Sequence, residues 1–446
     1  MNNQRNAIII LGASGDLAKR KLIPALLRLC QRGEVDTSTV IVGSGRSAFT
    51  DESFRGLFNV PARFGSMLFY HQGMSGLKKC LSAKGVFSRV IVFFALPPQV
   101  YSSTAKELVE EGFGPETLII IEKPFGSDYQ SAHELNNQLA EYFEETHIFR
   151  NDHYLGKETV RNILVFRFAN SLFYPLWNNH YIEFIQISAS ETQGVGTRAA
   201  YFDKAGILRD MVQNHLLQLL CLLTMEMPLT LMPEDISNKK ADILRSLSIQ
   251  ECHRCQYEGY RAEKGIDPQS TTETFAELKL HINTVQWAGV PIYIRSGKAL
   301  DRNGTEIGVR FKPLPFNLFS DRMPVVPNTI IFMIQPEEGI LLSMSSKEPG
   351  GELKLTNTNM TFCYSDSFDS EIPEAYQKLL LDAIHGDHTL FVNARETELS
   401  WQKLGPVLDK GKLTSYPIGT VPPSFFDVDW INFEQYGGTC RRPATL

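Results

Sequence analysis

Four short apolar runs in the first third of the chain, residues 7–12, 40–43, 90–96 and 118–121, alternate with stretches whose apolar residues recur at helical spacing, residues 19–32, 100–111 and 129–143. Uninterrupted apolar runs of that length read as strands buried on both faces, and strands separated by helices return parallel to one another. The pattern predicts a parallel sheet wound with crossover helices, a dinucleotide-type α/β domain over residues 1–150. From residue 151 to residue 446 the spacing changes. Residues 181–189 and 274–282 swap polar and apolar side chains, as strands with one wet face do, and helical stretches at 207–225 and 374–384 interrupt them. The second domain is therefore expected to be α+β, a large mostly antiparallel sheet with those helices covering one face.

A chain of 446 residues is long enough to bury two cores. Its net charge of −6 offers neither a basic footprint for nucleic acid nor a polybasic patch for a membrane, which leaves small molecules or further copies of the chain as partners. The first apolar run is shorter than a signal-peptide core or a membrane span, so export is not expected. Seven scattered cysteines point to reduced thiols and a cytoplasmic location rather than a disulfide framework. Cys252 and Cys255 make a single C-x-x-C, too little for a zinc site, and no metal is expected.

Gly12-Ala13-Ser14-Gly15-Asp16-Leu17 follows the first strand and opens a helix, a place where backbone N–H groups and the positive helix end suit a pyrophosphate. A plain strand-to-helix turn explains the same six residues equally well. The second strand ends in Gly43-Ser44-Gly45-Arg46-Ser47. It lacks the acid that accepts from a ribose 2′-hydroxyl and carries an arginine able to pair with a 2′-phosphate, which favours NADP. Lys123, in Glu122-Lys123-Pro124-Phe125-Gly126, stands at the carboxyl edge of the sheet, where coenzyme and substrate meet in such folds. Asp152, His153, Tyr154 and Lys157 gather an acid, an imidazole, a phenol and an ammonium at the domain boundary, and the last three are donors suited to a phosphomonoester. On an α-helical wheel Asp210, Gln213, Asn214 and Gln218 share one sector, and His215 sits at its border with the apolar side. A half-sheltered histidine can act as a general base if a carboxylate orients its other nitrogen; a hydrogen-bonded core histidine is the plainer alternative.

These spellings closely resemble the glucose-6-phosphate dehydrogenase family. GASGDLAKRKLIPAL, EKPFG, DHYLGKE, YFDKAGILRDMVQNHLLQLL, WAGVPIYIRSGKAL and IQPEEG occur in the family's order from Gly12 to about residue 395. The resemblance implies a Rossmann-like coenzyme domain followed by the α+β domain, NADP as coenzyme, glucose 6-phosphate as substrate, and a homodimer or homotetramer formed through the second sheet. It implies oxidation at C1 to the 6-phospholactone, the first step of the oxidative pentose phosphate pathway, with no metal. By position, His215 matches the general base and Asp152 the carboxylate that fixes its imidazole. His153, Tyr154 and Lys157 match the grip on the sugar phosphate, and Glu191, Asp210, Lys298 and Gln335 match groups that hold ring and phosphate. Lys21 and Lys123 match lysines at the junction of substrate and coenzyme, while Arg46, with Ser47 beside it, matches the 2′-phosphate reader.

The chain departs from the family pattern in three places. It is short, it has Asn303 where a phosphate-contacting basic residue is common, with Arg302 one position earlier as a possible substitute, and it ends Arg441-Arg442-Pro443-Ala444-Thr445-Leu446 without the longer tail. Some members hold a second, non-catalytic NADP on the sheet. Here the matching positions are Met333, Leu341, Ser343, Gly304 and Gly308, which offer neither charge nor aromatic stacking, so that site is expected to be absent. A paralogue acting on another sugar phosphate and a catalytically silent sensor of NADP or sugar phosphate are the competing readings. The retained His215 and Asp152 speak against the sensor, because binding alone needs no base.

Overall fold

The computed structural model describes residues 5–436 and residue 440, apart from residues 59, 317, 320–325, 352 and 369–371; the terminal sequences 1–4 and 441–446 lie outside the described residues. The chain divides into two compact units. The first is Met1–Gly156 with Pro228–Asn238 and Pro373–Trp401, and the second is Lys157–Met227, Lys239–Ile372 and Gln402–Leu446.

The first unit is built on six strands, β1 (Asn6–Leu11), β2 (Val40–Gly45), β3 (Leu68–Gln72), β4 (Arg89–Phe94), β5 (Leu118–Glu122) and β6 (Ile148–Asn151), in the order β3-β2-β1-β4-β5-β6. Every pairing is parallel. The strand order reverses between β1 and β4, and doubly wound sheets bind their ligands beyond the carboxyl ends at such a point. The unbroken apolar runs follow from burial on both faces. Ile8, Ile10, Ile41, Phe93 and Ile120 enter one core, while Ala7, Ile9, Leu11, Val42, Phe94 and Ile121 enter the other.

The helix Ala375–His385 requires a correction. Its spacing had suggested a cover for the second sheet, but Leu379, Leu380, Ala383 and Ile384 pack into the first unit's core with Ile8, Leu22, Leu26 and Phe391. An apolar helical stripe shows that a helix is covered, not which sheet covers it.

The second unit carries nine strands, β7 (Ile182–Ser190), β8 (Leu247–Tyr257), β9 (Phe275–Ile282), β10 (Ile292–Gly297), β11 (Gly304–Phe311), β12 (Thr329–Gln335), β13 (Gly339–Lys347), β14 (Leu355–Cys363) and β15 (Leu413–Tyr416). Their order is β14-β13-β12-β11-β7-β10-β9-β8-β15. The sheet is mostly antiparallel, but β10 runs parallel to β7 and β15 parallel to β8. Against it lies a π-helical stretch, Leu208–Leu216, which continues as the α-helix Leu217–Thr224, whose residues are all buried.

The expectation of seven reduced thiols does not hold. Cys363, at the end of β14, is disulfide-bonded to Cys440, and the other five cysteines carry no disulfide. The partners are 77 residues apart and meet only because the C-terminal segment folds back onto Ile331, Met333 and Leu341, which spacing along the chain cannot reveal. The cysteine argument for a reducing compartment loses its force accordingly. No helix among the described residues is long and apolar enough to cross a membrane.

Leu380→Ala tests where the helix Ala375–His385 belongs. Loss of a buried leucine from the first unit's core should cost about 2–5 kcal/mol in chemical denaturation. A loss below about 1 kcal/mol would show that this helix is no part of that core.

Candidate active site

The turn after β1 is fixed from within. Gly12 and Ala13 both donate their N–H to the Ser44 carbonyl, at 2.8 and 3.0 Å, and Gly15 donates to the Gly12 carbonyl at 2.9 Å. Gly12 has φ 82°, and a Cβ there would sit 2.2 Å from the Ala95 carbonyl oxygen, so this position requires glycine. The helical segment opens at Asp16, passes through a wide π turn at Ala18–Leu22, and continues as the α-helix Ile23–Gln31. Arg46 and Ser47 are exposed just past β2. The Ser47 carbonyl accepts from the Tyr70 hydroxyl at 2.5 Å and the Arg46 carbonyl from the Gln72 amide at 3.2 Å, which anchors the backbone beneath the guanidinium. Lys21 lies 3.7 Å from Glu374, with both side chains half exposed.

Two parallel strands deliver the next group. β5 and β6 end on the pair Glu122↔Asn151, so Lys123 and Asp152 leave the sheet side by side. The Lys123–Pro124 peptide is cis. Asp152 is buried and accepts from the Tyr154 N–H at 3.0 Å, which ties its carboxylate to the turn carrying His153 and Tyr154. The His153 ring is parallel to that of Tyr376, with centroids 6.3 Å apart.

In the second unit β7 and β10 end on Ser190↔Gly297, and Glu191 and Lys298 follow. The Lys298 ammonium donates to Glu191 at 2.6 Å and stands over the Phe202 ring. Asn303 closes a two-way bond with Thr192, at 2.8 and 2.9 Å, and Gln335 ends β12. Lys157 is the first residue of this unit and precedes the helix Glu158–Phe168. Arg302 binds Glu306 through both terminal nitrogens, at 2.8 and 3.0 Å, so its charge is already answered and it is a poor stand-in for the base missing at Asn303.

His215 lies in the π-helical stretch, fully buried, and Asp210 is buried in the same stretch. The α-helical wheel does not apply there. A π turn holds an extra residue, so the predicted polar sector does not form as drawn, and almost every residue from Leu208 to Leu216 is enclosed. Asp210 is 3.8 Å from Arg198 and bonds the Tyr201 hydroxyl; burial, with that carboxylate beside it, pushes Tyr201 up to about 12. The stretch is anchored by Glu273, which no sequence signal marked. Its carboxylate accepts from the Leu208 N–H at 3.2 Å and its carbonyl from Ile207 at 3.0 Å. Burial raises Glu273 above the usual carboxylate range, opposed by its own backbone N–H, by that of Leu208 and by Arg254 at 3.5 Å.

The expected absence of a second nucleotide concerns a crowded part of the sheet. Met333, Leu341, Ser343, Gly304 and Gly308 are buried, and a Cβ on Gly308 would meet Ile431 at 2.8 Å. Beside them is a cavity of about 530 Å³ lined by Arg295, Arg302, Arg310, Trp430 and Tyr436, with Asp301 and Asp429 among them. Arg295 stacks on Trp430 at 4.0 Å and Arg310 donates to Tyr436. Cys252 and Cys255 are three apart on β8, which turns them to opposite faces.

Comparison with known proteins settles the ancestry. Residues 9–162 match the NAD binding domain of glucose-6-phosphate dehydrogenase and residues 164–430 its C-terminal domain. The chain belongs to the glucose-6-phosphate dehydrogenase family. It is 38% identical to the glucose-6-phosphate 1-dehydrogenase of Chlamydia pneumoniae, over 94% of this chain and 93% of that one. Among solved structures, a glucose-6-phosphate dehydrogenase in complex with its substrate glucose-6-phosphate superposes with a TM-score of 0.89 at 35% identity, covering 95% of this chain and 97% of that one. The Mycobacterium avium glucose-6-phosphate 1-dehydrogenase gives 0.84 at 31%, covering 94% of both. Within this glucose-6-phosphate dehydrogenase fold, the residues that sequence reasoning missed are supports: Glu122, Tyr376, Tyr201 and Glu273.

Gly206, at φ 69°, lets the chain pass Glu273; a Cβ there would lie 2.3 Å from its carboxylate oxygen. Gly206→Ala should therefore cost about 2 kcal/mol or more and lower turnover together with stability. Unchanged stability on denaturation would mean that the Glu273 anchor gives way easily.

Proposed function

We propose that this chain oxidises glucose 6-phosphate at C1 to the 6-phospholactone, passing the hydride to NADP. The family assignment over nearly the whole length carries this reading. NADP, when bound, supplies the hydride acceptor; the chain's own residues bind, orient and move the proton.

The residues present fit the coenzyme. The turn leaves no room for a side chain at Gly12, and Arg46 is exposed at the tip of β2 without an acid at that position. Because Gly12, Ala13 and Gly15 use their N–H groups inside the turn, the pyrophosphate falls to the amides of Ser14, Asp16 and Leu17 at the helix start. Arg46, with Ser47, reads the 2′-phosphate. His153, Tyr154 and Lys157 hold the sugar phosphate; Glu191, Asp210, Lys298 and Gln335 hold ring and phosphate; Lys21 and Lys123 serve the junction with the coenzyme. His215 takes the C1 hydroxyl proton as hydride leaves, and Asp152 acts as the carboxylate that orients its imidazole. We place the enzyme in the cytoplasm as a homodimer or homotetramer, in the first step of the oxidative pentose phosphate pathway. The domain boundary near residue 150 is retained as a functional division between coenzyme and substrate parts.

His215→Asn should leave the KM for glucose 6-phosphate nearly unchanged and lower kcat at least about a hundredfold, with Asp152→Asn losing less in the same parameter. Near-normal turnover in folded His215→Asn would remove the base assignment. Arg46→Ala should weaken NADP far more than NAD, since only NADP carries the 2′-phosphate. Equilibrium dialysis should give one NADP per chain, because the arginines by the second sheet are engaged with Glu306, Trp430 and Tyr436. Equal weakening of both coenzymes, or two NADP per chain, would count against this account.

A further inference from the structure

The carboxyl of Glu122 occupies the tip of β5 and has no part in the chemistry assigned so far. It closes the last cross-strand pair with β6, accepting from the Asn151 amide at 2.5 Å, and it also accepts from the Tyr376 hydroxyl. Its own backbone is clamped. The Tyr101 hydroxyl donates to the Glu122 carbonyl at 2.9 Å and lies 3.2 Å from its N–H. Each end of the Glu122–Asn151 bond is one residue from a proposed site group, Lys123 on one strand and Asp152 on the other. Tyr376 in turn lies parallel to His153.

We propose that Glu122 is a positioning residue for the dehydrogenation: bonded to Asn151 and Tyr376, its ionised carboxylate holds the two strand tips from which Lys123 and Asp152 emerge. An ionised carboxylate offers both oxygens to two donors. The protonated acid gives up one acceptor and becomes a donor, so at least one of the two bonds must break or reverse. The groups that set its ionisation are few. Against the loss of water around its carboxyl, the Asn151 amide on β6 and the Tyr376 hydroxyl on the helix Ala375–His385 favour the charged form, Lys123 just past β5 adds to them, and Asp152 just past β6 opposes it. Burial outweighs them and pushes Glu122 up to about 7, while Tyr376 itself is raised by burial and by the same carboxylate. The carboxyl therefore takes up its proton nearer neutrality than an ordinary carboxylate does.

This inference rests on the proposed reaction, so wild-type turnover of glucose 6-phosphate with NADP is measured first, then kcat and KM from pH 5 to 9 for wild type, Glu122→Gln and Glu122→Asp. Glutamine has the same shape without the ionisation, and aspartate keeps the charge but draws it back by one methylene. For Glu122→Gln we expect kcat at pH 8 about tenfold below wild type, with KM for glucose 6-phosphate within about twofold. The ratio of wild-type to Glu122→Gln kcat should narrow from about tenfold at pH 8 toward about one at pH 5, as wild type takes up the proton that makes its carboxyl neutral like the amide. Glu122→Asp should keep a pH-dependent advantage over Glu122→Gln while losing turnover against wild type. A melting temperature for Glu122→Gln at pH 8 within a few degrees of wild type confirms that the comparison is between folded enzymes. Equal kcat in wild type and Glu122→Gln across the whole pH range overturns the positioning role alone. A loss uniform with pH that comes with a lowered melting temperature overturns it in favour of a structural one. A wild type inactive on glucose 6-phosphate, by contrast, removes the reaction and this inference with it.

Discussion

Parallel pairing puts the carboxyl ends of neighbouring strands side by side, and the chemistry of this chain depends on that geometry. In an antiparallel pair the carboxyl end of one strand meets the amino end of the other, so residues just past the two ends are far apart. β5 and β6 bring Lys123 beside Asp152, and β7 and β10 bring Glu191 beside Lys298, each pair drawn from distant parts of the sequence. The second case falls inside a sheet that is otherwise mostly antiparallel. There the parallel contact of β7 with β10, one of two in that sheet, carries the polar pair.

Such tips are difficult places for charge, because a carboxylate or ammonium taken from water must find partners. Each is answered locally. Lys298 has Glu191 and the face of Phe202, Asp210 has Arg198 and Tyr201, and Glu273 has two backbone amides and Arg254. Some of these supports come from far along the chain, Glu191 from 107 residues before Lys298 and Glu273 from 65 residues after the Leu208 amide it accepts. Tyr376 reaches the first unit from residue 376 because the helix Ala375–His385 is part of that unit's core.

The strands of the first sheet were legible where they were central. β1, β2, β4 and β5 are apolar on both faces and announce themselves, whereas β3, on an edge, and β6, four residues long, leave too short a signal. The strand-to-helix turn, Arg46 at the tip of β2 and the Asp152-His153-Tyr154 turn could be read because each carries its polar residues in one local run. Glu122 was passed over as the neighbour of Lys123. Its bonds run to Asn151 on another strand and to Tyr376 far along the chain, and spacing within one run cannot show either. The cysteines failed for the same reason. Cys363 and Cys440 are joined through the fold, and nothing in their sequence neighbourhoods distinguishes them from the other five.

The π-helical stretch Leu208–Leu216 constrains how this chain can change over generations. Substitutions there alter one side chain at a time, but losing the extra residue of a π turn offers the backbone a simple repair, the ordinary α-helix, in which the residues within the stretch regroup around the axis while the helix beyond keeps its facing. A histidine buried at position 215 would then face a different wall of the core. Descendants of this sequence should therefore drift in composition through this segment while keeping its length, with insertions and deletions confined to the loops outside it.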